Sequence, residues 1–308
     1  MNEPQLASAS LDWYRHVGAD PERERLQQVW QESLLLPGYT DPCESALAEL
    51  STYFHVDKDE ARRRCEHWEQ DSDVEWEQKD RSTDEGLLEF YQTTQSWIYD
   101  TVWYHAKQCS GEQFPESVAI AYGLRHLQPG SMLDFGAGPG STGMYFHHLG
   151  WQVSLGDIST TMQEFAKWRL EQHGVPATFY ELTRQELPAD AFDLITAVDV
   201  VAHIRDWRYQ LARIHHALRE GGLFVFNIDA RQQAPENQWH LYQHHYPMLR
   251  PMAWSGFDPA GRIEFFYVYR KDSGRGDFQR AMDVAGNLIR YNGLVSLGGE
   301  YFRRLRSR

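Results

Sequence analysis

A chain of 308 residues, 42% hydrophobic and 24% charged, has the composition of a globular protein long enough for one large domain with a smaller attachment. Its net charge of −14 is concentrated, because residues 1–115 carry 24 acidic and 10 basic side chains whereas residues 116–308 carry 20 of each. An acidic first third repels a phosphate backbone and argues against DNA or RNA as a partner, and no apolar run reaches the length of a membrane span.

Met1–Ser10 has neither a basic start nor an apolar stretch and does not read as a secretory signal. From Leu6 to about Gln108 the pattern is helical. Pro21 with Glu22 and Glu24 opens a helix that Pro37-Gly38 stops, since proline fits a first turn and acids favour its dipole. Asp41-Pro42 opens another, with Ala46, Leu47, Leu50, Tyr53 and Phe54 at helical spacing. Asp57 to Asp84 is dense in charge, with Trp68 and Trp76 as its apolar points, and reads as a solvated helix with one narrow buried stripe. Leu87 to Ala106 reads as a single aromatic helix. The run from Phe90 to Tyr104 is expected to be core, the roof of an active site being the other reading.

Cys109 to Pro115 reads as a linker, and beyond it strands and helices alternate. Strands are expected at Ser131–Phe135, Gln152–Leu155, Ala177–Tyr180, Phe192–Val198 and Gly222–Ile228. Helices are expected at Ser141–Leu149, Thr160–His173 and Asp206–Arg219. Such alternation specifies an α/β doubly wound sheet. Asp258-Pro-Ala-Gly261 is a turn signal before a strand from Arg262 to Tyr269. Residues 270–308 hold nine basic against four acidic side chains. The cysteines, Cys43, Cys65 and Cys109, are odd in number and widely spaced. They suggest neither a disulfide framework nor a zinc site, and the expected compartment is the cytoplasm.

The informative stretch is Met132-Leu-Asp-Phe-Gly-Ala-Gly-Pro-Gly140, a buried strand running into a glycine-rich turn and then a helix. Glycines at 136, 138 and 140 let the backbone turn tightly and let a ligand come close, and the helix after them offers N–H groups to an anion. Asp157, 23 residues beyond Asp134, ends the next apolar strand, where a carboxylate suits the paired hydroxyls of a ribose. Gly138-Pro-Gly-Ser-Thr-Gly143 also matches the dinucleotide fingerprint, which keeps a nicotinamide-dependent oxidoreductase as an alternative. Asp134 separates the two. A dinucleotide has little use for a carboxylate ahead of the glycines, whereas an amino-acid ammonium group does.

These stretches resemble the class I S-adenosylmethionine-dependent methyltransferases. Leu133–Gly140 looks like the family's first motif and Val153–Ser159 its second. Phe192–His203 is similar to the fourth-strand motif and Ala217–Phe226 to the fifth, all in the family's order over roughly residues 116–270. The resemblance implies a Rossmann-like, seven-stranded, mostly parallel sheet whose last strand is antiparallel, with Ile263–Tyr269 as the candidate for it. An N-terminal helical cap for substrate specificity would occupy 1–112, the cofactor-binding domain 113–271 and a basic helical tail 272–308. It further implies that S-adenosyl-L-methionine is the cofactor. Gly136, Ala137, Gly138 and Gly140 would hold its methionine part together with Asp134, Asp157 its ribose, and Ile158 its adenine. Val198 and Asp199 would border the sulfonium. The family often places an acid at position 183 to accept from the adenine amino group; here the residue is Thr183, and adenine would be held by Thr183 or by backbone carbonyls.

His203, just past the fourth strand, is the candidate catalytic base, the other reading being a histidine that packs the next helix. His240, His244 and His245 cluster without an acidic or cysteine partner, so no metal is expected. The expected partner is a small-molecule methyl acceptor, with no nucleic acid and no membrane, and a homodimer is the assembly considered. The remaining alternative is a protein that binds the cofactor without turnover.

Overall fold

The computed structural model describes residues 20–80, 83–230 and 241–272, with scattered positions from 274 to 286. The expected helical start at Leu6, His240 and nearly all of the basic tail therefore lie outside the described residues. Seven strands form one sheet in the order β3-β2-β1-β4-β5-β7-β6. The chain divides into two compact units, one ending at Glu186 and the other beginning at Leu187.

Seven helices precede the first strand among the described residues: α1 (Pro21–Ser33), α2 (Pro42–Phe54), α3 (Lys58–Glu66), α4 (Trp68–Glu77), α5 (Asp84–Thr93), α6 (Ser96–Ser110) and α7 (Glu116–Gly123). The predicted starts hold because Asp20 and Asp41 accept backbone N–H groups of the first turns, Glu22 at 3.0 Å and Glu44 at 2.8 Å. The charged segment is two helices, α3 and α4, rather than one. The aromatic helix is likewise broken. Thr94 is extended, and the Glu75 carboxylate accepts the N–H groups of Gln95 and Ser96 and so caps a new helix there. The expected linker contains the end of α6, closed by Gly111 in the left-handed region, and leads straight into the buried α7, which the sequence reading left out.

In this first unit β1 (Ser131–Phe135), β2 (Gln152–Asp157) and β3 (Thr178–Glu181) pair in parallel, with α8 (Ser141–His148) and α9 (Thr160–Gln172) as crossovers. The N-terminal helices share its core. Ala46, Leu47 and Leu50 of α2, Ala61 and Cys65 of α3, and Ile98, Tyr99, Val102 and Trp103 of α6 pack with Met162 and Phe165 of α9. The aromatic face of α6 is used largely against the neighbouring N-terminal helices: Tyr99 stacks on Phe54 of α2, and Trp97 Nε1 donates to Ser72 of α4 at 3.0 Å.

In the second unit β4 (Phe192–Ala197) and β5 (Leu218–Phe226) are parallel, joined by a 3₁₀ turn (Val201–His203) and α10 (Trp207–Ala217). After α11 (Tyr246–Met252), β6 (Phe257–Ile263) and β7 (Phe266–Lys271) form a hairpin in which β7 is antiparallel to both β5 and β6. The expected antiparallel last strand is therefore present, but the turn is displaced. Asp258–Gly261 lies within β6, where a register shift between Pro259 and Gly261 absorbs the proline, and the chain reverses at Glu264-Phe265 with Glu264 at φ 49°.

Candidate functional site

The glycine loop is shaped by its own backbone. Gly136 and Ala137 donate to the Gly156 carbonyl at 2.7 and 3.0 Å, and Gly140 donates to the Ala137 carbonyl at 3.0 Å. Gly140 has φ +80°, and a Cβ there would lie 2.8 Å from the Leu170 side chain, so both conformation and space require glycine. Gly138, at φ +53°, differs: a Cβ there would meet nothing within 4 Å, so the loop is open on that side.

Asp157 closes the loop from the end of β2. One carboxylate oxygen accepts Gly138 N–H at 2.8 Å and the other accepts Ser159 N–H at 2.8 Å. The residue is only 9% exposed. Burial raises its pKa, and the N–H bonds from Ser159, Gly138 and Ile158 oppose that rise. Each oxygen retains acceptor capacity for a ligand hydroxyl. Gln163 of α9 stiffens the same end by donating to the carbonyls of Asp157 and Tyr180, both at 2.8 Å.

Asp134 is buried within β1, and Ala137 is buried in the loop. Ile158 packs against a cluster formed by Trp76, Phe90 and Tyr91 from α4 and α5. Three hydroxyls beside it, from Ser159, Thr160 and Thr161, reach the single Gln92 carbonyl at 3.4, 2.8 and 3.4 Å. Thr183 is exposed and donates to Glu181, which pairs in register with Asp157 across β2 and β3. Glu181 is absent from the sequence expectations, and Trp76, Phe90 and Tyr91 were expected as buried aromatics without a link to Ile158. An acid closing β3 was a usable signal for the first, but the second depends on how the helices dock.

In the second unit Val198 is half-buried, and Asp199 is exposed with φ 55°, an unusual conformation that aspartate tolerates better than most residues. Asn227, buried at the end of β5, holds it. Its side-chain carbonyl accepts Asp199 N–H at 2.7 Å, and its amide donates to the Asp199 carboxylate. The sequence reading missed Asn227, although a polar residue ending an apolar strand marks it. His203 closes the 3₁₀ turn and is half-buried. His245 bonds through Nδ1 to the Tyr267 hydroxyl at 2.8 Å, and burial, with Arg262 adding to it, pushes its pKa down to about 4. Among the described residues no group of three or more His, Cys, Asp or Glu side chains is arranged to hold a metal ion. No helix among them is long and apolar enough to cross a membrane.

Residues 133–224 match the family described as a methyltransferase domain. Over 103 residues the chain is 29% identical to a ubiquinone biosynthesis O-methyltransferase of Paramagnetospirillum magneticum, covering 33% of this chain and 41% of that protein. Over 116 residues it is 35% identical to a malonyl-[acyl-carrier protein] O-methyltransferase of Pseudescherichia vulneris, covering 37% and 44%. The chain thus spans less than half the length of these curated relatives. Phosphoethanolamine N-methyltransferase 2 of Haemonchus contortus, solved with S-adenosyl-L-methionine, is 21% identical over 56% of this chain and 44% of that one, with a TM-score of 0.45.

Proposed function

We propose that the chain carries a class I S-adenosylmethionine-dependent methyltransferase domain around the matched residues 133–224 and transfers the methyl group of S-adenosylmethionine to a nucleophilic atom of a small molecule. The observation that carries this reading is the glycine loop closed onto the Asp157 carboxylate by Gly138 N–H at 2.8 Å. The residues present fit the cofactor: the open side at Gly138 leaves room for it, and the carboxylate beside that opening is an acceptor for ribose hydroxyls. The sheet order, with its antiparallel β7, also departs from the 3-2-1-4-5-6 order of dinucleotide-binding sheets, so the nicotinamide alternative is not favoured.

In this reading Gly136, Ala137, Gly138 and Gly140 hold the methionine part, with Asp134 toward its ammonium group. Asp157 takes the ribose and Ile158 the adenine, with Glu181 at the end of β3 and Thr183 just beyond it as further candidates for the adenine. When bound, S-adenosylmethionine supplies a methyl group already activated by its sulfonium. The protein's task is then to orient the acceptor and exclude water; alignment of this kind accounts for roughly 7–11 kcal/mol of a barrier. Val198 and Asp199 are assigned to the reacting end by the family resemblance, and His203 is the candidate base for an acceptor that must lose a proton. Both relatives described above are O-methyltransferases, which makes an oxygen acceptor the first class to test.

The test has two parts. Calorimetry should show the purified chain binding S-adenosylhomocysteine and S-adenosylmethionine but not NAD. Incubation of the host's small-molecule extract with methyl-labelled cofactor should then transfer label to one compound. A folded protein that binds neither cofactor form, or that binds but labels nothing, overturns the proposal.

A further inference from the structure

One buried polar network in the first unit lies outside the residues just assigned. Glu49 of α2 is fully buried, and its two carboxylate oxygens meet Arg169 Nε at 2.9 Å and His173 Nε2 at 2.5 Å, both from the C-terminal half of α9 or its cap. The guanidinium does not stop there. Its Nη1 donates to the Ser141 hydroxyl at 2.7 Å and, at a longer 3.4 Å, to the Pro139 carbonyl. Ser141 Oγ lies 2.8 Å from His105 Nδ1 on α6. Burial, with the nearby Arg169 adding to it, holds the His105 pKa down to about 3, so the ring is neutral and shares one hydrogen bond with the serine hydroxyl. The serine oxygen thus accepts from Arg169 while the same hydroxyl is bonded to His105.

Pro139 is inside the glycine loop and Ser141 is the first residue of α8, so both contacts fall where the loop turns into the helix. Leu170, next to Arg169, is the side chain against which Gly140 is pressed. We infer that Arg169, oriented by Glu49, is a positioning residue for the cofactor loop, and that α2 and α6 thereby take part in cofactor binding without touching the cofactor. A guanidinium suits this task. Its planar fork can satisfy a carboxylate on one edge and a hydroxyl with a carbonyl on the other, which an ammonium group cannot do in fixed geometry. The inference rests on the proposed S-adenosylmethionine site but concerns residues that site does not include.

The test begins with S-adenosylhomocysteine and the wild-type full chain, whose failure to bind would remove the functional proposal itself. Given binding, Ser141→Ala deletes the hydroxyl and leaves the Glu49–Arg169 pair in place. It should raise the dissociation constant about tenfold, the usual consequence of losing a hydrogen bond to a charged group. Amides of residues 136–142 should exchange faster in this variant, which should remain folded with a modestly lowered melting temperature. The double variant Glu49→Gln with Arg169→Met removes both charges at similar volume, so it should remain folded and bind at least as poorly. Wild-type affinity in either folded variant, or unchanged exchange at 136–142 in Ser141→Ala, would overturn the assignment.

Discussion

The two aspartates that end neighbouring motifs are held in opposite ways. Asp157, after β2, is buried, with both oxygens receiving backbone N–H groups and α9 clamped behind it by Gln163. Asp199, after β4, is exposed, in the left-handed region, and bonded through its N–H and its carboxylate to the Asn227 side chain. The first end is fixed by the protein's own backbone, which suits the cofactor contacts proposed for it. The second is held at the surface through the Asn227 amide, an arrangement a related protein can change at little cost to the fold. That contrast suits an enzyme class in which the cofactor is constant and the acceptor varies.

Removing the buried guanidinium is the most severe way to break the first end. Arg169→Ala would leave Glu49 charged and fully buried, and should lower unfolding free energy by about 3–5 kcal/mol, measurable by urea denaturation. A loss below about 1 kcal/mol would mean the pair is not buried as described. Asp157→Ala should keep the fold but weaken S-adenosylhomocysteine binding by about 1.5–3 kcal/mol, because the lost acceptor is charged. An unchanged dissociation constant would remove the ribose assignment.

Acid should also act on the first end. His105 is neutral in the folded protein, with its pKa pushed from 6.5 down to about 3. Unfolding lets it take up a proton, so its contribution is complete above pH 6.5 and is lost progressively as the pH falls toward 3. Within that window it should add a slope of about 1.4 kcal/mol per pH unit. His105→Phe should flatten a plot of stability against pH between 6.5 and 4, and an unaltered slope would contradict the burial of the ring. The smallest effect belongs to the second end. Asn227→Ala should cost only about 0.5–1.5 kcal/mol of stability, since Asp199 can turn to water, yet it should lower kcat against the labelled acceptor more than it lowers S-adenosylhomocysteine affinity. Equal losses in both would place Asp199 with the cofactor contacts instead.

The glycine motif and Asp157 were legible because their signals are local. Positive φ at residues 138 and 140 demands glycine wherever the rest of the chain lies, and a carboxylate ending an apolar strand is conspicuous in any context. The alternating strands and helices were legible for the same reason, through side-chain period. Misreadings occur where a distant residue decides. The break between α5 and α6 depends on Glu75, about twenty positions away, offering a carboxylate to the N–H groups of Gln95 and Ser96. The hairpin reversal at Glu264-Phe265 prevailed over the Asp-Pro-Ala-Gly signal because pairing with β7 carries Pro259 and Gly261 along the sheet edge.

Nothing in the spacing of Glu49, His105, Ser141 and Arg169 relates them, for they fall on four helices spread over more than a hundred positions. Only folding brings them together. Sequence alone determined the chemistry available at the loop, because turn conformation and strand-end carboxylates follow from the residues themselves. Tertiary structure decided what holds that loop in place, because a buried charge can persist only where the fold supplies its counter-charge.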